Sequence, residues 1–232
     1  MIFNIFKRIA NNALWGLLSL LITGIIILVV MYAYISLNLP NVAVLQDAHM
    51  QVPMRVLSAD GKLIAQFGSM KRTPISINEV PKQMIQALLD TEDKRFYEHK
   101  GVDFMGMARA AIAVITSGRK VQGASTITMQ VARNFFLTSK KTYGRKINEI
   151  FLALKIEQNF SKDKILELYL NKVFFGNRAY GIAAAAQVYY GKKPSELTLA
   201  EMAMLAGLPQ APSLDNPLVN PHGAIIRRNH VL

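Results

Sequence analysis

Glu92 opens a stretch in which acidic and basic side chains crowd beside an apolar helical pattern, Glu92-Asp-Lys-Arg-Phe-Tyr-Glu-His99 followed by Gly101. Upstream, Met84, Ile85, Leu88 and Leu89 recur at helical spacing. Continuing that period places Glu92 on the apolar face, with Met84 and Leu88 above it and Phe96 one turn below. A carboxylate aimed at a core is costly unless it is paired or kept for chemistry. Partial burial raises its pKa toward the range of a general acid or base. Spacing alone leaves an ion-paired structural Glu92 as open as a catalytic one.

A second carboxylate has a similar setting. Arg145, Glu149, Ala153 and Glu157 share one side of a helix predicted over 145–157, and Leu152 and Ile156 flank Glu149. Arg145 with Glu149 is also readable as a simple i, i+4 ion pair. Ser125 and Thr126 precede a helix predicted over 129–137, where either serves as N-cap. A Gly-flanked helix start also offers free N–H groups to an anion. Arg133 follows on the same helix, and Lys140, Lys141, Arg145 and Lys146 come soon after. Charge runs are most often solvated faces, but one that abuts a hydroxyl-rich helix start and an apolar groove is a better candidate for a pyrophosphate site. Ser161-Lys-Asp-Lys164 fits the S-x-x-K pattern of penicillin-reactive serines. No convincing S-x-N or K-T-G partner exists in the chain, and Ser161 stands where the N-cap of the run 165–171 belongs, so it reads as a cap.

The elements that must position these residues are mostly helices. Pro81 opens the helix of Glu92, and Gly101 interrupts it. The segment 104–115 is apolar nearly all round with one charge, Arg109; such a helix is either buried or lies at a membrane interface. A capping box, Thr198 to Glu201, opens a later helix. Earlier in the chain, Asp60-Gly61 between two short apolar runs is a hairpin signal. The segment 38–53, punctuated by Pro40 and Pro53, reads as a linker.

The chain has 232 residues, 27 Lys+Arg against 15 Asp+Glu, a formal net charge of +12, and no cysteine. A disulfide framework and a thiolate metal site are therefore excluded. The excess positive charge suits a phosphate-bearing or anionic partner. Nucleic acid is set aside because of what the N-terminus holds. No charged residue occurs over 9–46, and 13–37 is almost wholly apolar, longer than the about 20 residues that cross a bilayer. Trp15, Tyr32 and Tyr34 sit near its ends, and Lys7 and Arg8 flank its N-terminal side. The expectation is an uncleaved single-pass anchor with a cytoplasmic N-terminus. The expected organisation is a cytoplasmic stub 1–12, anchor 13–37, linker 38–53, hairpin segment 54–77 and a helical domain 78–232. The chain ends inside a helix-like pattern, which reads as a truncation.

Five stretches, in order, resemble the motifs of family 51 peptidoglycan glycosyltransferases, the N-terminal halves of class A penicillin-binding proteins. They are the Glu92–His99 stretch with Gly101, Gly123-Ala-Ser-Thr-Ile-Thr-Met-Gln130 with Arg133-Asn134, Arg145-Lys-Ile-Asn-Glu149, Lys164-Ile-Leu-Glu-Leu-Tyr-Leu-Asn171, and Arg227-Arg-Asn-His-Val-Leu232. The resemblance implies a mainly α, lysozyme-like fold and polymerisation of lipid II, a disaccharide-peptide on a polyprenyl pyrophosphate, at the inner membrane. It implies Glu92 as catalytic acid/base and Glu149 as the second essential carboxylate. Ser125, Thr126, Gln130, Arg133, Lys141, Arg145, Lys146 and Asn171 become the expected substrate-binding set. A divalent cation, Mg²⁺ or Mn²⁺, is compatible with that chemistry, with no ligands assigned. The growing glycan and other cell-wall synthesis proteins are the implied partners. Met129 and Asn148 depart from the pattern, standing where many members carry Gln and Lys. A lysozyme-like hydrolase using the same two carboxylates on a neutral glycan, and a non-catalytic membrane scaffold, are the competing classes.

Overall fold

A computed structural model describes residues 2–46, 53–61, 63–68, 70–118, 125–138 and 142–232. The chain divides into two units, Met1–Pro40 and Asn41–Leu232. The first is a single helix, α1 (Ile2–Asn38). Among the described residues no helix is long and apolar enough to cross a membrane. The side chains at 13, 28, 31, 32, 34 and 35, which belong to the apolar run 13–37, lie outside those described.

The second unit is mainly helical, as expected. It opens with a short 3₁₀ turn, Val42–Leu45, whose Val42 and Leu45 are buried. Strands β1 (Met54–Leu57) and β2 (Leu63–Phe67) form the antiparallel hairpin read from Asp60-Gly61. Gly61 takes φ +80° at that turn, a conformation glycine adopts without a Cβ clash. A second pairing had no local signal. β3 (Lys71–Arg72) lies parallel to β4 (Ala179–Tyr180), tying the segment before the first motif to one that follows the fourth.

The helices are α2 (Lys82–Glu92), α3 (Phe104–Ser117), α4 (Ile127–Phe136), α5 (Tyr143–Asn159), α6 (Lys162–Lys172), α7 (Ile182–Tyr190), α8 (Leu199–Gly207) and α9 (Pro221–Val231). α4 lies at the centre. Its first six residues, Ile127 to Ala132, are all buried, and it packs on α5 and α6. α2 packs on α8 and α9. Met84 and Leu88 are fully buried, so the apolar face inferred for α2 is real.

α2 stops at Glu92, earlier than its period suggests. Asp93 turns out of the helix at φ −160°, ψ 71°, and Phe96 reaches the core from the turn that follows. Gly101 shapes that turn with φ +87°. A Cβ there would lie 2.7 Å from the Ala153 carbonyl oxygen, so the loop sits directly on the α5 backbone. α3 has no buried residue; Phe104 and Ile115 are 62% and 82% exposed, while Met107 packs against the small cluster of Val102, Met129 and Ala153. Of the two readings of this apolar helix, burial within the chain is the one the structure removes.

Candidate active site

The loop after α2 is locked to α4 by hydrogen bonds that no periodicity reveals. Asp93 Oδ2 accepts from the Ile127 backbone N–H at 2.9 Å, and both its oxygens lie within hydrogen-bond distance of His99 Nε2, at 2.9 and 3.0 Å. The Thr126 hydroxyl donates to the Gly101 carbonyl at 2.6 Å and accepts from the Met129 N–H at 3.1 Å. Thr126, not Ser125, is therefore the N-cap. The anion-binding reading of this helix start needs correcting. Two of its N–H groups, those of Ile127 and Met129, already meet the Asp93 carboxylate and the Thr126 hydroxyl, so an internal anion sits where a pyrophosphate is expected.

That lock places Gln130 beside Glu92. Gln130 Nε2 donates to Glu92 Oε2 at 2.8 Å, and Arg133 reaches the Gln130 carbonyl at 3.5 Å, at the limit of a hydrogen bond. Burial pushes the Glu92 carboxyl above the ordinary carboxylate range. The Gln130 bond and the charges of Arg227 and Arg133 pull it part of the way back, and Asp93 pushes it up. The balance leaves the carboxyl above its ordinary value. Glu92, Ser125, Thr126, Gln130 and Arg133 all line one cleft of about 1040 Å³, with α3 forming a wall through Gly106, Met107, Arg109 and Ala110.

Glu149 belongs to a neighbouring arrangement and does not line this cleft. It is 0% exposed, with Arg145 Nε 3.2 Å from Oε1 and Lys146 Nζ 3.1 Å from Oε2. Lys146 Nζ also donates to the Ser125 hydroxyl at 2.7 Å. Ser125 thus joins the cleft to the Lys146–Glu149 pair. Both cations of the third motif are held by an internal carboxylate, and this differs from a cluster open to an incoming anion.

Asn171 is the clearest departure from the expected substrate set. Its Oδ1 accepts from the Ile75 N–H at 2.8 Å, and its Nδ2 donates to the carbonyls of Ile75 and Glu167 at 2.8 and 3.0 Å. The buried amide clamps the segment before α2 and is absent from the cleft lining. Lys141 lies outside the described residues. Met129, one of the two departures in the motifs, is fully buried in the core.

Arg227, on α9, belongs to the fifth motif, and its sequence context gives it no role. Its Nε donates to the Gly207 carbonyl at 3.2 Å, and its charge acts on Glu92. Asp93 is a further site residue, and its place next to Glu92 in the motif is the sequence signal for it. Among the described residues no group of three or more His, Asp or Glu side chains gathers, and Asp93 and Glu149 are already engaged.

A transglycosylase family model matches residues 60–232. The chain is 56% identical over 202 residues to penicillin-binding protein 1A of Escherichia coli (strain K12), covering 87% of this chain and 24% of that protein. It is 53% identical over 212 residues to penicillin-binding protein 1A of Vibrio cholerae, covering 91% and 26%. It thus spans about a quarter of the length of these curated relatives. The crystal structure of penicillin-binding protein 1A from Haemophilus influenzae is 34% identical and covers 79% of this chain and 18% of that one, with a TM-score of 0.43. With most of its length matched, the chain belongs to the transglycosylase family.

Proposed function

We propose that this peptidoglycan transglycosylase polymerises lipid II into β-1,4-linked glycan strands, with inversion at the anomeric carbon and release of polyprenyl pyrophosphate. The observation that carries the reading is Glu92, a largely buried carboxylate with a raised pKa, held by Gln130 at the floor of a cleft beside Arg133. In the proposed reaction Glu92 takes the proton of the acceptor 4-hydroxyl as that oxygen bonds to the donor anomeric carbon. The bond from that carbon to the pyrophosphate oxygen breaks on the opposite face. A positioned base of this kind is worth roughly 10²–10⁴-fold. Arg133, which lines the cleft together with Lys94, Arg95 and Arg109, and Lys146, bonded to the cleft-lining Ser125, are the cations available for the charge gathering on the leaving group.

The hydrolase alternative uses two carboxylates facing the sugar across a cleft. The burial of Glu149 between Arg145 and Lys146 weighs against it. The run 13–37 anchors the chain in the cytoplasmic membrane with the catalytic unit outside, and the exposed apolar side chains of α3 meet the bilayer that holds the polyprenyl tail. A penicillin-sensitive transpeptidase joined in a longer native chain, and contacts with other cell-wall synthesis proteins, complete the proposal. Purified protein in detergent or nanodiscs is given lipid II, and the products are separated by chain length. Glycan strands from the wild type and none from Glu92→Gln support the reading. Cleavage of preformed glycan, without elongation, would replace it with hydrolysis.

A further inference from the structure

Tyr169 stands on α6, in a helix that packs against α4. It is 0% exposed, and its hydroxyl has no hydrogen-bond partner in the protein. Buried polar groups are normally paired, by protein or by ordered water. Oε1 of Glu92 is buried and without a protein partner in the same way, while Oε2 is held by Gln130. A third buried atom of this kind is a terminal guanidinium nitrogen of Arg227. Glu92 interacts with each of the other two. The Arg227 charge acts on Glu92, and Glu92, after burial itself, pushes the Tyr169 hydroxyl well above its ordinary value. A buried water needs two to four polar partners, and these atoms supply two donors and a carboxylate oxygen.

We propose that Tyr169 is a positioning residue for Glu92, its hydroxyl donating through one buried water to Oε1 of the ionised carboxylate. This rests on the reading of Glu92 as the base. With Gln130 on Oε2, the contact gives each carboxylate oxygen a donor, and both donors favour the charged form that accepts the proton. The other groups acting on Glu92 are Arg133 on α4, Arg227 on α9 and neighbouring Asp93. α8, also packed on α2, has Glu201 as its single charged residue, and Glu201 pairs with Lys192. Tyr169 is therefore the group on α6 that tunes this carboxylate without bringing a net charge.

The test uses the whole 232-residue chain in detergent, labelled with ¹³C in its Glu side-chain carboxyls and Tyr rings. The Glu92 resonance is assigned by its loss in Glu92→Gln. In Tyr169→Phe the Glu92 titration moves up by about one pH unit, as expected when a donor to the charged form is lost. The acid limb of the polymerisation pH profile moves with it, and KM stays unchanged. In the wild type, with no variant needed, the Tyr169 Cζ shift follows the Glu92 titration. An unmoved Glu92 midpoint in Tyr169→Phe, or a flat Tyr169 Cζ shift in the wild type, would leave Tyr169 as a packing residue and overturn the proposal. The titration reads the contact without turnover. A wild-type chain that does not polymerise lipid II would therefore refute the assigned reaction and not this contact.

Discussion

Gln130 donates to Glu92 across 38 residues of sequence, and Asp93, the next residue after Glu92, closes the start of the helix that carries Gln130. The two motifs are therefore one mechanical unit. The carboxylate and the amide that orients it are held to each other through the first turn of α4.

Glu92→Gln should reduce lipid II polymerisation by at least about 10²-fold, the usual contribution of a general base. Stability should move the other way. Burial raises the Glu92 pKa in the fold, so the folded state holds this proton more tightly than the unfolded chain does. Its contribution to stability falls as pH rises from the ordinary carboxylate range through the folded value. Urea denaturation should show the Gln variant more stable than wild type above that window and equal below it. A variant that polymerises within about tenfold of wild type would remove Glu92 from the chemistry.

Arg145→Ala should unfold more easily. Arg145 faces a carboxylate with no access to water, and its loss leaves Lys146 as the remaining cation on Glu149, so the cost should stay below the about 3 kcal/mol of a buried pair left uncompensated. Adding Glu149→Gln should recover part of the loss. If Arg145 served only the donor, the midpoint of denaturation would not move and the second substitution would restore nothing.

For Asn171→Ala the expected loss is again in the fold. The Ile75 N–H and carbonyl lose their side-chain partner, at about 1–3 kcal/mol for groups left buried. KM for lipid II, measured at a temperature where the variant is folded, should match wild type. A raised KM with undiminished stability would return Asn171 to the substrate.

No covalent penicillin adduct should form on this chain. The Ser161 hydroxyl accepts from the Lys164 N–H at 3.2 Å, and Lys164 Nζ bonds Glu167 at 2.9 Å. A fluorescent penicillin that labels the chain, with the label lost in Ser161→Ala, would contradict the capping role.

The local parts of this structure were readable in the sequence. The apolar face of α2, the turn at Gly61, the Ser161 cap and the Thr198–Glu201 box each arise from residues within a turn or two of one another. Long-range contacts decided the rest. Asn171 looks like a site residue in its motif because nothing near it in sequence announces Ile75, 96 residues away. The start of α4 looks like an anion site because its anion comes from Asp93, 34 residues upstream. Spacing put Glu92 in the right place for a partly wrong reason, since it assumed a helix continuing to Phe96 where Asp93 ends it.

The internal closing of α4 also bears on how the protein should respond to salt. A helix start offers fixed dipoles at short range, whereas the cations left for the proposed leaving group sit on long side chains, and that of Lys146 is 37% exposed. Dissolved ions screen such charges over roughly 8–10 Å near physiological ionic strength. Under the proposed reaction, donor capture by this domain becomes an electrolyte-sensitive step, set by the ionic conditions around the cleft as well as by its shape.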